Sequence, residues 1–314
     1  MAPPTHPTLR RLHGLDTSSP DFRDQLDKAL HGQEYRRCVS NIEGDGLKWL
    51  VNYLDEVLGR LDLSSPVSRK CLRELRNICS TSTILPTSYT LSTDHLGVDL
   101  GSFATGGYAD MYRGTLNDSG ICIKRIRIHS SDDERATKVF CQEAVIWKYL
   151  KHPNILSLLG VTTSPLQLIS GWMSGGNLQE YIKNNSNADR LELLCEVANG
   201  LCYLHSCNVI HGSIRGPNIL VDDSGHIRIA DFGDATIVKD QDSVEDDLNG
   251  LPPSTRWDAP EVIDGGPHSK ESDVFSFAMV MIEVRHGWST AQSFGSLAFR
   301  INTDIHWCDS VQRS

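Results

Sequence analysis

The chain has 314 residues, 39% of them apolar and 22% charged, which suffices for a packed core and predicts one large domain with a smaller companion. Its formal net charge of −10 excludes the basic surface that non-specific nucleic-acid binding or adsorption to an anionic membrane requires. The nine cysteines are odd in number and scattered, with no C-x-x-C pair, a pattern of reduced thiols in an intracellular, cytoplasmic protein rather than of a disulfide frame.

The opening Met1-Ala2-Pro3-Pro4 lacks the apolar run of a signal peptide. Residues 1–19, rich in Pro, Thr, Ser and His, are expected to form a disordered tail. Residues 20–80 predict a helical region of three helices. Ser19-Pro20 is a capping residue followed by proline at a first helical position. Leu47, Leu50, Val51, Leu54, Val57, Leu58 and Leu61 share one helical face, and Ser65-Pro66 opens a third helix with Val67, Leu72, Leu75, Ile78 and Cys79 inward. Helices of this length need a partner surface, and two readings stay open: a structural bundle, or a regulatory and partner-binding module. Residues 81–99 read as a linker.

From Leu100 short β-type runs begin. Gly101 to Gly114 (GSFATGGYADMYRG) is a glycine-containing turn, and Ile121-Cys122-Ile123-Lys124 lies on an alternating strand. Glu134 to Leu150 predicts a helix with Phe140, Val145, Trp147 and Leu150 apolar, closed by His152-Pro153. Two further strands end at Leu166 to Ser170 and lead into Gly171-Trp172-Met173. Asp189 to Leu204 predicts a long helix that delivers the chain to His211-Gly212-Ser213-Ile214-Arg215-Gly216-Pro217-Asn218. Asp222-Asp223-Ser224-Gly225 is a hairpin turn, and Ile229-Ala230-Asp231-Phe232-Gly233 follows it. Asp240 through Asp247 is strongly acidic; Ala259-Pro260-Glu261 and Asp273-Val274-Phe275-Ser276-Phe277 come after. The most apolar segment, Val274 to Val284, is too short to span a bilayer.

Taken together, these stretches resemble the protein-kinase superfamily over residues 100–284, with its glycine-rich loop, V-A-I-K strand, H-R-D-x-x-x-x-N loop, D-F-G turn and A-P-E mark. Trp257-x-Ala259-Pro260-Glu261 and His211-Gly212 look like tyrosine-kinase-like kinases; the N-terminal helices with Ile84-Leu85-Pro86-Thr87-Ser88-Tyr89 look like the Ser/Thr kinases of mushroom-forming fungi. The resemblance implies an α+β, two-lobed fold with a small antiparallel β lobe, and ATP and Mg2+ as cofactors. It implies that Lys124 reaches the phosphates and pairs with Glu143, and that Asn218 and Asp231 hold the metal. Nucleotide contacts would come from Ala104, Gly106, Ala109, Met111, Cys122, Lys124, Gly171, Met173 and Leu220, with Ser170 at the back of the adenine pocket. Asp273 would tie down the catalytic-loop backbone.

Four departures bear on activity. Ser213 stands where the family has its Asp base, and a neutral hydroxyl is no base at pH 7. General-base catalysis contributes about 10² to 10⁴ in rate, or roughly 3 to 5 kcal/mol of barrier. Ala104 and Ala109 replace the outer glycines of the phosphate loop, and Gly212 replaces the Arg that binds an activation-loop phosphate. The resemblance is expected to end after Val284, which leaves a divergent tail, 285–314, too short to finish the large lobe. Glu261 is then solvated or paired with Arg285, Arg300 or Arg313. Three functions follow: a Mg-ATP-binding pseudokinase, a working Ser/Thr kinase acting on a protein substrate, or an interaction protein that uses its helical N-terminal region.

Overall fold

A computed structural model describes residues 4–99, 101–105, 108–128, 133–238 and 256–286. The N-terminal region begins earlier than the composition predicts. Helix α1 spans Pro7–His13, with Pro at its first turn and the His6 ring accepting a bond from the Thr8 amide. Leu9 and Leu12 are fully buried, and the Tyr53 hydroxyl donates to the Leu12 carbonyl at 3.0 Å. The expected loose tail over 1–19 is thus corrected: two leucines a turn apart suffice to seat a short helix on a neighbouring face.

Four helices follow where three were expected. Gly32, with extended backbone, splits the first into α2 (Phe22–His31) and α3 (Gln33–Asn41). The leucine-rich face lies on α4 (Gly44–Leu58), and Ser65 caps α5 (Pro66–Ser82) through the Ser68 amide. Residues 81–99 are not a plain linker. Tyr89, in a 3-10 turn over Thr87–Tyr89, is completely buried, the Leu91 amide donates to Val161, and strand β1 already starts at Leu96–Val98.

The small lobe is an antiparallel sheet. Its strands are β1, β2 (Ala104–Thr105), β3 (Ala109–Leu116), β4 (Ser119–Ile126), β5 (Leu158–Thr163) and β6 (Leu166–Gly171), in the order β1-β3-β4-β6-β5 with β2 beside β3. Between β4 and β5 runs α6 (Asp133–Tyr149). Strand alternation sends Ile121, Ile123 and Ile169 to one face, where they pack with Leu91, Leu96, Tyr112 and Leu116. Lys124 and Cys122 fall on the opposite face, with Met111 directly across from Lys124 and Ser170 across from Cys122.

The large lobe starts with β7 (Gly176–Asn177) and α7 (Leu178–Asn184), whose first turn Asn177 and Glu180 close as a capping box. Helix α8 (Arg190–Ser206) leads into β8 (Val209–Ile210). Strands β9 (Ile219–Val221) and β10 (Ile227–Ile229) form the expected hairpin, and β11 (Thr236–Ile237) pairs with β8. Helices α9 (Pro260–Ile263) and α10 (Lys270–His286) complete the described part. One continuous apolar core runs from α1 through α4, α5 and α6 into α8 and α10. The architecture is α+β with an antiparallel small lobe, a helical large lobe and helices at the N-terminus.

Candidate active site

Strand β4 presents Lys124 to the cleft between the lobes. Its ammonium bonds both oxygens of Glu143 on α6, at 2.8 and 3.0 Å, and Oδ1 of Asp231 at 2.7 Å. Glu143 is only 2% exposed. Burial lowers the affinity of Lys124 for its proton, but Asp231 and Glu143 outweigh it and hold the ammonium above its ordinary range. Asp231 is pulled down to about 2, chiefly by Lys124. Burial pushes the Glu143 carboxyl up, and Lys124 opposes that shift. Three charge-bearing positions, on a strand, a helix and a turn, therefore meet as one ammonium and two carboxylates only because the fold brings residues 124, 143 and 231 together.

The loop before Asp231 is held from below. Asp273 of α10, buried, accepts bonds from the backbone amides of His211 (2.8 Å) and Gly212 (2.9 Å), and from His205 Nε2 at 3.0 Å. His211 is fully buried. Its Nε2 bonds the Ala230 carbonyl at 3.1 Å and its Nδ1 accepts from the Ser213 amide at 3.2 Å, which assigns a neutral ring with the proton on Nε2. Burial lowers its pKa, in keeping with that state. Gly212 has φ +74°, and a Cβ there would lie 2.8 Å from the Asp234 carbonyl oxygen. Glycine meets both demands at once. An arginine at this position would need a different course for one of the two chains.

Ser213 sits where the resemblance puts the base. The Asn218 side-chain amide donates to the Ser213 carbonyl at 2.8 Å and to its hydroxyl oxygen at 3.2 Å. With its N–H groups so engaged, Asn218 has its carbonyl oxygen left to offer a cation. Asp231, at φ +68°, follows Ala230, whose amide donates to the Asn218 carbonyl at 2.8 Å. The two oxygen-bearing side chains are thus carried on directly bonded segments.

Of the residues expected from the sequence to meet the nucleotide, all but one are among the described residues. Ala104 is exposed on β2 opposite Met111, and Ala109 is buried at the start of β3. Cys122 is half-buried, and burial pushes its thiol up to about 11. Gly171 and Met173 lie in the connection between the lobes, where the Trp172 amide donates to Gly120 and the Met173 carbonyl accepts from Gly176. Ser170 is buried behind them, and Leu220 is half-buried on β9. Gly106 lies outside the described residues, as do the acidic stretch from Asp240 to Asp247 and the chain from 287 onward. Glu261 is exposed and Arg285 is exposed on α10, while Arg300 and Arg313 lie outside the described residues.

Two contributors were not singled out from sequence. Arg215 adds its charge to those that hold Asp231 low, and its Nε is buried without a hydrogen-bond partner among the described residues. Trp147 of α6 stands 5.8 Å from the ring of Phe232, which in turn lies 5.1 Å from the His211 ring. A lone loop arginine and a helix tryptophan carry no positional signal without the fold.

A family model for protein tyrosine and serine/threonine kinases matches residues 98–296. The chain belongs to that family. The match continues past Val284, where the motifs run out in the sequence, so the resemblance does not end there. Among relatives, the serine/threonine-protein kinase STY46 of Arabidopsis thaliana is 34% identical over 190 residues, 59% of this chain and 32% of its own length. The serine/threonine/tyrosine-protein kinase HT1 of the same plant is 30% identical over 192 residues, covering 58% of this chain and 48% of HT1. The human tyrosine-protein kinase FRK is 30% identical over 189 residues, 57% of this chain and 37% of FRK. The chain spans less than half the length of each of these relatives.

The family implies ATP and Mg2+. The residues of this kinase cleft fit that pair: an ammonium for phosphate oxygens, two oxygen donors for a hard cation, and the orphaned Arg215 Nε as a further donor for an anion. Among the described residues no helix is long and apolar enough to cross a membrane.

Proposed function

We propose that this kinase-family protein binds Mg-ATP and transfers phosphate weakly or not at all. The observation that carries the reading is the pairing of Ser213 with Asn218 at the base position, beside an assembled Lys124–Glu143–Asp231 cluster. Bound nucleotide and metal supply the transferable phosphoryl group and the charge that neutralises it. Lys124 orients phosphate oxygens, Glu143 keeps Lys124 in place, and Asn218 and Asp231 hold the cation. Backbone groups near Gly171 and Met173 would hydrogen-bond the adenine edge, and Leu220 would supply an apolar surface for its ring. No group at Ser213 accepts the proton of an acceptor hydroxyl, and phosphoryl transfer retains only positioning and electrostatics. The neutral, buried His211 does not replace the base, because both its ring nitrogens are engaged.

A second reading, a working Ser/Thr kinase, has one observation in its favour: the Lys124–Glu143 pair is already formed. The subgroup we favour is the tyrosine-kinase-like one of mushroom-forming fungi, on the Trp257 to Glu261 ending and the His211-Gly212 pair. Reduced thiols agree with a cytoplasmic setting, and the N-terminal helices are the candidate surface for a protein partner. Two measurements test the reading. Mg-ATP at 100 times its dissociation constant is expected to stabilise the protein by about 2.7 kcal/mol, seen as a raised Tm that Lys124→Met abolishes. Ser213→Asp is expected to raise phosphotransfer at least about 10²-fold; a wild type as fast as that variant makes the chain an ordinary kinase.

A further inference from the structure

Over its central turns, from Phe140 to Trp147, helix α6 is buried at every position except Gln142, which is half-buried. Glu143 and Trp147, one turn apart, point at Lys124 and Phe232. On the remaining faces Phe140, Cys141, Ala144, Val145 and Ile146 are all buried as well. The cover on the side away from the cleft is α5, which packs along α6, with Cys79 buried in the same core as Cys141.

The packing ends in one polar connection. The Tyr149 hydroxyl, in the last turn of α6, donates to Oδ1 of Asp55 on α4 at 2.5 Å. The other oxygen of Asp55 accepts from Ser88 Oγ at 2.7 Å. Ser88 belongs to the turn that Asn52 of α4 also holds, through the Thr87 amide (2.9 Å) and hydroxyl (2.7 Å). In that turn the Tyr89 ring meets the Tyr149 ring edge-on at 6.4 Å, and Lys148 lies over Tyr89 at 5.5 Å. The Leu91 amide then bonds Val161 of β5. Burial raises the Tyr149 pKa, so the hydroxyl stays a donor throughout the neutral range. Asp55 therefore joins α4, the turn before the sheet and α6 at a single carboxylate.

We infer that Asp55 and Tyr149 are positioning residues for the nucleotide site: their hydrogen bond fixes α6, and through α6 the place of Glu143 opposite Lys124. The N-terminal helices are then part of the ATP site without touching it. This rests on the Mg-ATP reading above.

The test uses the full chain and two variants that keep side-chain size, Tyr149→Phe and Asp55→Asn. Mg-ATP affinity is expected to fall about 5-fold or more in each, the lower end of typical coupling between distant sites. In a Glu143→Gln background Tyr149→Phe is expected to add less than about 2-fold, since contacts acting through one shared group are not additive. Amide exchange over residues 140–147 is expected to quicken while that of α8 stays as in wild type. Unchanged affinity in both variants, or a Tyr149→Phe loss that is fully additive with Glu143→Gln, overturns the inference even if Tm falls. A wild type that binds no Mg-ATP refutes the nucleotide reading instead. The exchange comparison then decides the positioning claim alone: selective loosening of α6 upholds it, and no change or uniform loosening overturns it.

Discussion

Lys124 is shared between Glu143 and Asp231, and the two carboxylates respond to it differently. Glu143 lies deep and is pushed up by burial, whereas the side chain of Asp231 is 38% exposed and its carboxyl drops to about 2. A carboxyl that is more acidic in the fold than in the unfolded chain stabilises the fold when ionised. That contribution is complete above the ordinary value of 3.8 and disappears as pH falls through about 2. Wild type and Asp231→Asn, compared by urea unfolding, are therefore expected to differ at pH 7 by a gap that narrows below pH 4. A gap independent of pH would place the Lys124–Asp231 contact outside the energetics of the fold. At this scale the spacing of Lys124, Glu143 and Asp231 along dissimilar segments was legible in the sequence, and the structure brings these three side chains into contact. Arg215 was not legible there: its relevance lies in a buried, unpartnered Nε that packing alone creates.

Secondary-structure elements show where local rules hold and where they are overridden. Periodicity and the Pro153 stop place α6 and α8 within two residues of their observed ends. The break at Gly32 is not legible in the sequence because one glycine between two amphipathic, largely polar runs gives no clear stop. Likewise, Phe140, Val145, Trp147 and Leu150 mark α6 as apolar, but nothing in that run says that α5 covers it. Between elements, the firmest tie at the site is α10 to the loop at 211–213. Asp273 serves two backbone amides and His205 with two oxygens. Asp273→Asn leaves one of those buried donors facing an amide nitrogen. The cost of an unsatisfied buried donor at a formerly charged acceptor is about 2 to 4 kcal/mol. A loss of unfolding free energy of that size, read as a lowered urea midpoint at unchanged slope, is expected, and an unchanged midpoint would show the loop to be held by other contacts.

At the scale of the whole molecule, the N-terminal helices and the kinase lobes share one apolar core. The sequence announced the helices through Leu47 to Leu61 and Ser65-Pro66, and left open whether they formed a separate body. Cys141 and Val145 under α5, and Tyr149 on Asp55, answer that in physical terms: their burial needs residues 50–82 in place. A chain beginning at residue 84 is expected to expose that face and to elute as aggregate in size-exclusion chromatography, where the full chain elutes as a discrete species. A discrete, soluble short chain would show that α6 tolerates water on that side. The burial of α6 from Phe140 to Trp147 beneath α5 also bears on how such a protein can change over generations. A catalytic module whose control helix has a wet back can be shuffled between genes as a cassette and still fold. Here α5 lies against that side of α6, so recombination that parts the leading helices from the lobes is expected to cost both their fold, and the two stretches are expected to be inherited as a single piece.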